Sequence, residues 1–413
     1  MLSLGAVNAK ALIVEAVLAG ASAGCLVYWT IALWRIVNTL RLLPTARAGL
    51  RLPAPDKRVC LIVPAHNEEQ SLPGLIESLM RQDMPGARFV LALDRCTDGT
   101  AEAARRAIGD DERFEIIEID SCPADWAGKV HAAWQAVQRS AAAADADVLA
   151  FTDADCEFEP GCLRACAALM EDRNLDLLSL LSTLRMKKWF ELVCQPAAAL
   201  ELMRHHPPER ANRNGEGHRA FANGQFMMFR SDAYRRIGGH AAVRDALLED
   251  IALAKRMAHG PERFRTGLLS ADGMVRCAMY ETWRQFRDGW RRIFIEASGR
   301  KSRRMVSHAW QARLVGTVFP CGALAAAAYA LAGEFDSGTT QMALGLLAGL
   351  ALLVWFTALT LLARAGGSAG WTVVFHPVGT WLVGRILLEG AKDLVKRRPT
   401  RWGGRDYVLE DRS

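Results

Sequence analysis

Asp147-Val148-Leu149-Ala150-Phe151-Thr152-Asp153-Ala154-Asp155 is the stretch that decides the fold of this chain. Its apolar run predicts a buried strand over residues 148–152, which ends in two carboxylates two positions apart. Carboxylates at that spacing can both face one site, and their oxygens are ligands that suit Mg²⁺ or Mn²⁺. A pair of this kind is more often a solvated turn, so its meaning depends on the segments around it.

Strand-like and helical segments alternate through residues 57–275, which have the composition of a soluble domain. Such alternation predicts an α/β fold, with a mostly parallel sheet and helices on both faces. Ligands in such folds bind at the carboxyl ends of the strands, where Asp153 and Asp155 lie. The expected strands are residues 59–64, 88–93, 114–119 and 148–152, and the expected helices are residues 72–81, 100–108 and 129–144.

The overall composition indicates a membrane protein rather than a nucleic-acid-binding protein. The 413 residues are 51% hydrophobic, and the formal net charge of +6 gathers beside apolar segments. No basic stripe accompanies a nucleic-acid motif, so the charge favours a membrane surface as partner and no nucleic acid. The ten cysteines include no Cys-x-x-Cys pair. We therefore expect buried free thiols in a reducing cytosol.

Residues 1–56 are expected to form a membrane anchor and its linker. The apolar stretch 11–36 is long enough to span a bilayer, and no small-residue cleavage site follows it. Basic residues cluster after this stretch, whereas only Lys10 precedes it. The positive-inside rule therefore places the N-terminus outside the cell and the following domain in the cytosol.

Residues 276–308 contain aromatic side chains at helical spacing with arginines between them. This pattern, centred on Trp283 and Trp290, is typical of a basic amphipathic helix that lies in the membrane interface. A helix whose apolar face packs on the protein core is the alternative.

Residues 309–390 are expected to contain a transmembrane hairpin and a re-entrant segment. The hairpin consists of the uncharged runs 314–333 and 339–363, joined by a short link. His376-Pro377 interrupts the next apolar stretch, 366–384, which favours a re-entrant or interfacial segment. The basic tail, 391–413, then returns to the cytosol in a multi-pass protein of the cell membrane.

Polar motifs follow the first two expected strands. Pro64-Ala65-His66-Asn67-Glu68 ends the first strand, where polar groups could hold a ribose or a base. Taken alone, Asn67 and Glu68 are more often helix-capping residues. Asp94 ends the second strand, free to accept a hydrogen bond from a nucleobase, while Asp98 is by default a helix-capping residue.

Two further motifs open helices. Lys129 adds its charge to the positive end of a helix dipole, which is unfavourable unless an anion such as a diphosphate is present; a solvated lysine is the alternative. Glu249-Asp250 also lies at a helix start, where acidic residues stabilise the dipole. A general base could stand there if the sheet brings it opposite Asp153 and Asp155.

Together these motifs resemble glycosyltransferase family 2, and most of all its membrane-bound carotenoid (diaponeurosporenoate-type) and hopanoid-associated members. The resemblance covers nearly the whole chain. The matching segments are Pro64-Ala65-His66-Asn67-Glu68, Asp94 with Asp98-Gly99-Thr100, Gly128-Lys129, Thr152-Asp153-Ala154-Asp155, Asn223-Gly224-Gln225, Glu249-Asp250, His376-Pro377 and Arg401-Trp402-Gly403-Gly404-Arg405-Asp406-Tyr407.

The resemblance implies inverting, metal-dependent transfer of a sugar from a nucleotide sugar, expected to be UDP-linked, to a hydroxyl of a membrane lipid. Asp250 would be the catalytic base and Asp155 the ligand of Mg²⁺ or Mn²⁺. The implied nucleotide-sugar-binding residues are Pro64, Ala65, Asn67, Glu68, Asp94, Lys129, Asp153 and Asp155. The residues implied to contact the acceptor or donor sugar are Asn223, Gly224, Gln225, Glu249, Trp290 and Arg405.

One departure from the family pattern leaves the acceptor open. Processive members carry Gln/Arg-x-x-Arg-Trp near the membrane, whereas this chain reads Gln285-Phe286-Arg287-Asp288-Gly289-Trp290. Synthesis of a polymer is therefore not expected. The alternatives are transfer to polyprenyl phosphate, whose acceptor oxygen is already ionised, and a non-catalytic membrane scaffold that binds the nucleotide sugar.

Overall fold

The computed structural model describes residues 2–213, 218–332, 338–402 and 405–413. Its strands are β1 (Val59–Ala65), β2 (Ala87–Asp94), β3 (Phe114–Ile119), β4 (Val148–Thr152), β5 (Cys156–Phe158), β6 (Leu177–Leu181), β7 (Thr183–Leu184), β8 (Phe226–Arg230), β9 (Thr266–Ser270), β10 (Val275–Cys277), β11 (Pro399–Trp402) and β12 (Arg405–Val408).

The α-helices are α1 (Leu2–Leu42), α2 (Leu72–Met80), α3 (Thr100–Ile108), α4 (Gly128–Arg139), α5 (Ala141–Asp145), α6 (Cys162–Asp172), α7 (Trp189–His205), α8 (Pro208–Ala211), α9 (Ser231–Arg236), α10 (Glu249–His259), α11 (Trp283–Ala297), α12 (Ser302–Arg313), α13 (Phe319–Ala332), α14 (Gly338–Ala365) and α15 (His376–Val395). Turns of 3₁₀-helix lie at Ala46–Arg51, Gly239–Val243 and Gly370–Phe375, and a π-helical turn lies at Leu314–Val318.

The expected α/β architecture is confirmed. Seven strands form one sheet in the order β3-β2-β1-β4-β8-β6-β9, in which β8 alone runs antiparallel to its neighbours. All seven residues of β1 are buried, which explains why this strand reads as a continuous apolar run in the sequence. The four strands expected from the sequence are present, and their ends differ from the expectation by at most one residue.

The chain order reverses between β1 and β4, which are parallel neighbours at the middle of the sheet. At such a switch point the loops that follow adjacent strands diverge and leave a crevice at the carboxyl edge. A second sheet, in the order β5-β10-β7, lies beyond that edge because β5 follows β4 after only three residues. This arrangement places Asp153 and Asp155 between the two sheets.

One expected helix, residues 129–144, is two helices in the structure. Ser140 has extended backbone angles and accepts a hydrogen bond from the Ala143 amide, so it ends α4 and caps α5. Serine competes for backbone hydrogen bonds in this way and is favoured at helix starts. The alanine-rich run that follows concealed this boundary.

The expectation that the aromatic face of α11 lies in the membrane interface is wrong. Phe286, Trp290 and Phe294 are buried in the main core, where α11 packs on α7 and α15. The arginine side of the helix is partly neutralised by acidic residues, since Arg291 forms an ion pair with Asp393 of α15 at 3.2 Å. The core-facing alternative is therefore the correct one.

Among the described residues, four helical stretches are long and apolar enough to cross a membrane: Leu12–Leu42, Ser302–Ala332, Thr339–Ala365 and Gly370–Val395. Their outer surfaces carry exposed apolar side chains, such as Leu331 (87% exposed) and Leu346 (68% exposed). The inner surfaces pack closely, because a Cβ atom on Gly322 would lie 2.5 Å from that of Ala21. The link expected between the two hairpin helices falls on residues outside the described ranges.

The stretch expected to be broken at His376-Pro377 is a continuous helix from His376 to Val395. Pro377 stands in its first turn, where the missing N–H has no helical partner to lose. The proline therefore starts the helix rather than interrupting it. More than half of the apolar part of Gly370–Val395 is buried inside the protein, against α7, α11 and α12.

Candidate active site

Asp153 and Asp155 lie directly after β4, and the neighbouring strand β8 fixes what stands beside them. Thr152 pairs with Phe226 across the antiparallel β4–β8 ladder, and its hydroxyl donates to the Gln225 carbonyl at 2.7 Å. This register brings the Asn223-Gly224-Gln225 segment alongside the two aspartates. Segments far apart in the sequence therefore meet at one sheet edge.

Lys129 connects the first aspartate to the helix α10. Its Nζ atom lies 2.6 Å from Asp153 Oδ1 and 2.6 Å from Glu249 Oε1. Burial disfavours the charged lysine, but the two carboxylates outweigh that effect and raise its pKa. The anions that offset a lysine at the start of α4 are thus provided by the protein itself.

Asp250 accepts two backbone hydrogen bonds, from the Gly224 amide at 2.8 Å and from the Ile251 amide at 2.7 Å. Gly224 allows this approach, because a Cβ there would lie 3.1 Å from Lys129 Nζ and 3.3 Å from Asp250 Oδ2. Burial and the negative charge of Glu249 raise the pKa of Asp250 to about 6, although Lys129 and the two amides lower it. A carboxylate with that pKa is suited to act as a general base near neutral pH.

Asp155 is the best candidate for a metal ligand. Burial, followed by repulsion from Asp153, raises its pKa to about 7. A divalent cation would remove this repulsion and satisfy the buried oxygens, so the donor set fits Mg²⁺ or Mn²⁺. The thiols of Cys156 and Cys277 lie nearby, but Mg²⁺ and Mn²⁺ prefer carboxylate oxygens to thiols, so the carboxylate is the expected ligand for these ions.

The segment expected to hold the nucleoside lies at the ends of β1 and β2. Pro64 and Ala65 are the last two residues of β1. Asn67 has φ of 57° and binds the next loop through its side chain, which accepts from the Thr97 amide at 2.8 Å. Glu68 accepts from the Ser71 hydroxyl, and burial raises its pKa, with Asp153 adding to the effect.

Asp94 is less free than the sequence indicated. Its two carboxylate oxygens accept hydrogen bonds from Arg95, at 2.9 Å from Nε and 2.6 Å from Nη2. Arg95 has φ of 50°, the left-handed region, which turns its side chain back onto Asp94. A nucleobase that binds Asp94 must therefore share the carboxylate with Arg95 or displace the Arg95 side chain.

Three other candidate residues support the site from behind. Gln225 is buried and donates to the Cys277 thiol at 3.0 Å, while Asn223 donates to the Leu180 carbonyl at 3.1 Å. Trp290 is a core residue whose Nε1 donates to Gln195 Oε1 at 3.1 Å. These contacts are all with protein atoms and position the strand ends, so they give no support for a direct contact of these three residues with a sugar.

Arg405 lies on the C-terminal hairpin of β11 and β12, which packs on the loop that leads into α4. Its guanidinium donates to the carbonyl oxygens of Pro123 at 2.8 Å, of Trp126 at 2.9 Å and of Cys122. Arg405 thus holds the backbone just ahead of Lys129. The tail therefore lies on the same side of the molecule as Asp153.

Arg292 is the residue that sequence reasoning missed. It is 7% exposed, its Nη1 donates to the Leu247 carbonyl at 2.5 Å, and its guanidinium lies 3.5 Å from the ring centre of Trp402. Within the described part of the chain it forms no ion pair, and its Nε has no hydrogen-bond partner. The sequence shows it only as one of several arginines on an amphipathic helix.

The surroundings of Arg292 are acidic, since Glu249, Asp250 and Asp153 all act on its charge. Burial nevertheless lowers its pKa. A buried cation that faces carboxylates without pairing to one is well placed to bind an anionic ligand. Arg292 and Lys129 both lie near these carboxylates.

Comparisons with known proteins give a family match over the sheet-containing part of the chain. Residues 60–238 match the family described as Glycosyl transferase family 2. The chain is 24% identical over 361 residues to 4,4'-diaponeurosporenoate glycosyltransferase of Staphylococcus aureus (strain bovine RF122 / ET3-1). The aligned region covers 86% of this chain and 89% of the relative. The same enzyme of strain USA300 is 24% identical over 362 residues.

A solved structure has the same fold. It is a mannosyltransferase from Pyrobaculum calidifontis in complex with GDP-Man and Mn²⁺, with a TM-score of 0.50 and 19% sequence identity. The match covers 93% of this chain and 99% of the mannosyltransferase, so the similarity extends beyond the sheet to the C-terminal helices.

We predict that Arg292→Leu weakens binding of UDP with Mn²⁺ by about ten-fold or more, because a charge-assisted hydrogen bond contributes ~1.5–3 kcal/mol. Arg284→Leu is the matched control, since Arg284 lies on the same helix with its side chain 88% exposed. Isothermal titration of the three proteins measures the affinities. Equal affinity in wild type and Arg292→Leu would show that Arg292 only packs against Trp402.

Proposed function

The chain carries a glycosyltransferase family 2 domain at residues 60–238, and from that premise we propose that it transfers a sugar, with inversion, from a nucleotide sugar to a lipid at the membrane. A UDP-sugar is the proposed donor. GDP-Man should be assayed as a second donor, because the structure of the Pyrobaculum calidifontis mannosyltransferase contains that compound.

The observation that carries the proposal is the position of Asp250. Its carboxylate is fixed by the Gly224 and Ile251 amides and lies beside the Lys129 bridge to Asp153. With a pKa of about 6 it is ionised at neutral pH. It can therefore take the proton of an acceptor hydroxyl as the oxygen attacks the anomeric carbon. The bond from that carbon to the diphosphate breaks on the opposite face.

The leaving diphosphate needs positive charge around it. Asp155 would hold Mg²⁺ or Mn²⁺, which supplies charge neutralisation at the diphosphate when bound. Arg292, which is buried and forms no ion pair within the described residues, would add a second positive charge. Lys129 is held by two carboxylates, so its part is to fix Asp153 toward the donor sugar.

A lipid acceptor is supported by the membrane helices and by one relative. The exposed apolar side chains on α1, α13 and α14 suit a bilayer, and the neighbouring helices α12 and α15 pack against α11, while α15 also packs against α7. The Staphylococcus aureus relative is named for 4,4'-diaponeurosporenoate. We propose an isoprenoid, carotenoid, hopanoid or similar lipid hydroxyl as acceptor, reached from the membrane side of the site.

Transfer to polyprenyl phosphate remains the second candidate, and the unpaired Arg292 is the observation in its favour, since an anionic acceptor would also use that cation. The two candidates differ in their need for Asp250. A phosphate oxygen is already ionised, whereas a hydroxyl needs a base.

We predict that Asp250→Asn abolishes transfer to a hydroxyl while donor affinity stays within about three-fold of wild type, because the side chain acts on the acceptor. The pKa of Asp250 is raised, so the base form is lost as pH falls through about 6. The wild-type kcat should accordingly fall about ten-fold for each unit below that value. A flat profile together with an active Asp250→Asn enzyme would favour a phosphate acceptor.

Cells provide the test of the function itself. Lipid extracts from cells with the intact gene should contain a glycosylated lipid that is absent after deletion, and Asp155→Asn should resemble the deletion because it loses the metal ligand. Purified Asp155→Asn should keep its thermal midpoint and lose nearly all Mn²⁺-dependent transfer. Identical lipids in all three strains would refute the proposal, and activity within a few-fold of wild type would exclude Asp155 as the ligand.

The tail position supports a C-terminus that returns to the side of the membrane that holds the catalytic domain, which the basic residues after α1 place in the cytosol. Arg405 contacts the loop before α4, so the tail and Asp153 must share one side of the membrane. After an external N-terminus and the helices α1, α13 and α14, the chain returns to the cytosol near Arg364. We therefore propose that α15 lies along the interface or re-enters rather than crossing.

We predict that a single cysteine at Ser413, in a variant freed of other exposed thiols such as Cys321, reacts with a membrane-impermeant reagent in inverted vesicles and not in intact cells. A cysteine near the N-terminus is the opposite control, because it should react only in intact cells. Labelling of Ser413→Cys from outside the cell would contradict the proposed topology.

A further inference from the structure

A second cluster of ligand-type side chains lies away from the active site, where the end of α7 meets α12. Glu201 and His205 are four residues apart on α7 and so share one face, and His308 of α12 lies opposite. One ligand atom from each of the three side chains lies within 4.8 Å of the other two. The histidine rings are stacked, with centres 4.3 Å apart.

The cluster is buried, and its hydrogen bonding is incomplete. Glu201 is 2% exposed and His205 is 5% exposed. The Oε1 atom of Glu201 faces both rings, at 2.6 Å from His308 Nδ1 and 3.5 Å from His205 Nε2. Neither ring nitrogen of His205 has a hydrogen-bond partner among the described residues. Buried polar atoms normally have hydrogen-bond partners. The described residues provide none for the two nitrogens of the His205 imidazole, which leaves room for a ligand there.

Neighbouring groups hold Glu201 in place and leave one oxygen available. Arg204 donates to its other oxygen, Oε2, at 2.9 Å and reaches Gln311 on α12. Burial would raise the pKa of Glu201, but the two histidines and Arg204 lower it to about 2. A carboxylate and a neutral imidazole are the forms in which these two residue types bind a metal ion.

We propose that Glu201, His205 and His308 bind a first-row transition metal ion, with Zn²⁺ as the representative. Two imidazole nitrogens and one carboxylate oxygen are a borderline donor set, which suits Zn²⁺ or Co²⁺ and not Mg²⁺. Arg204 serves as the outer-shell group that orients the carboxylate. The ion joins α7 of the catalytic domain to α12, the first part of the candidate span Ser302–Ala332.

The test uses the full-length protein in detergent, stripped with a chelator, equilibrated with one equivalent of Zn²⁺ or Co²⁺ and desalted before its metal is counted by mass spectrometry. All variants carry Asp155→Asn, which removes the proposed metal ligand of the active site. His205→Gln and His308→Gln remove one ligand each. His206→Gln is the matched control, because His206 is the adjacent histidine and no member of the cluster.

The Asp155→Asn protein and its His206→Gln derivative should retain about one ion per chain, show the visible absorption of Co²⁺ in a low-symmetry site, and gain a few degrees in thermal midpoint with Zn²⁺. His205→Gln and His308→Gln should lose at least ten-fold in affinity and show no such gain. Absence of bound metal in the Asp155→Asn protein, or equal retention by the His205→Gln variant, would overturn the proposal. Either result would show that Glu201 and His308 share only a proton. None of these readouts depends on sugar transfer.

Discussion

The ion pairs of Lys129 are the constraint on which the site depends. They join the end of β4 to the starts of α4 and α10 through Asp153 and Glu249. Asp155 and Asp250 stand beside that pair of carboxylates, and the pKa of each is raised, first by desolvation and then by the charge of Asp153 or Glu249. This arrangement leaves one carboxylate suited to a divalent cation and another suited to act as a base near neutral pH.

The pairing of β8 with β4 determines which residues stand beside these ion pairs. The antiparallel register of β8 against β4 brings Gly224 beside the aspartates, and the absence of a side chain there lets its amide reach Asp250. Any larger residue would press on Lys129 and the Asp250 carboxylate together. The glycine therefore suits the close approach of three segments, since a Cβ atom would require small shifts of the Lys129 and Asp250 side chains.

Much of the fold and part of the site could be predicted from the sequence. Strand and helix periodicity is local, and the expected strands end within one residue of the observed ones. The partners of Lys129 could not be predicted, because Glu249 is distant in the chain and meets it only through the sheet order. The sequence also could not show that the aromatic face of α11 packs on the protein core rather than on lipid. An amphipathic pattern shows that a face is buried, and it does not show whether lipid or protein covers that face.

The C-terminal tail packs against the candidate site. Arg405 binds the carbonyl oxygens of the loop that leads to Lys129, and Trp402 covers the guanidinium of Arg292. The tail therefore sets the surroundings of Lys129 and Arg292, which both lie near the carboxylates. Because it follows α15 directly, a shift of that helix would move the contacts at Trp402 and Arg405 together. The packing of the membrane-associated helices and the charge balance of the catalytic site are thus parts of one structural unit.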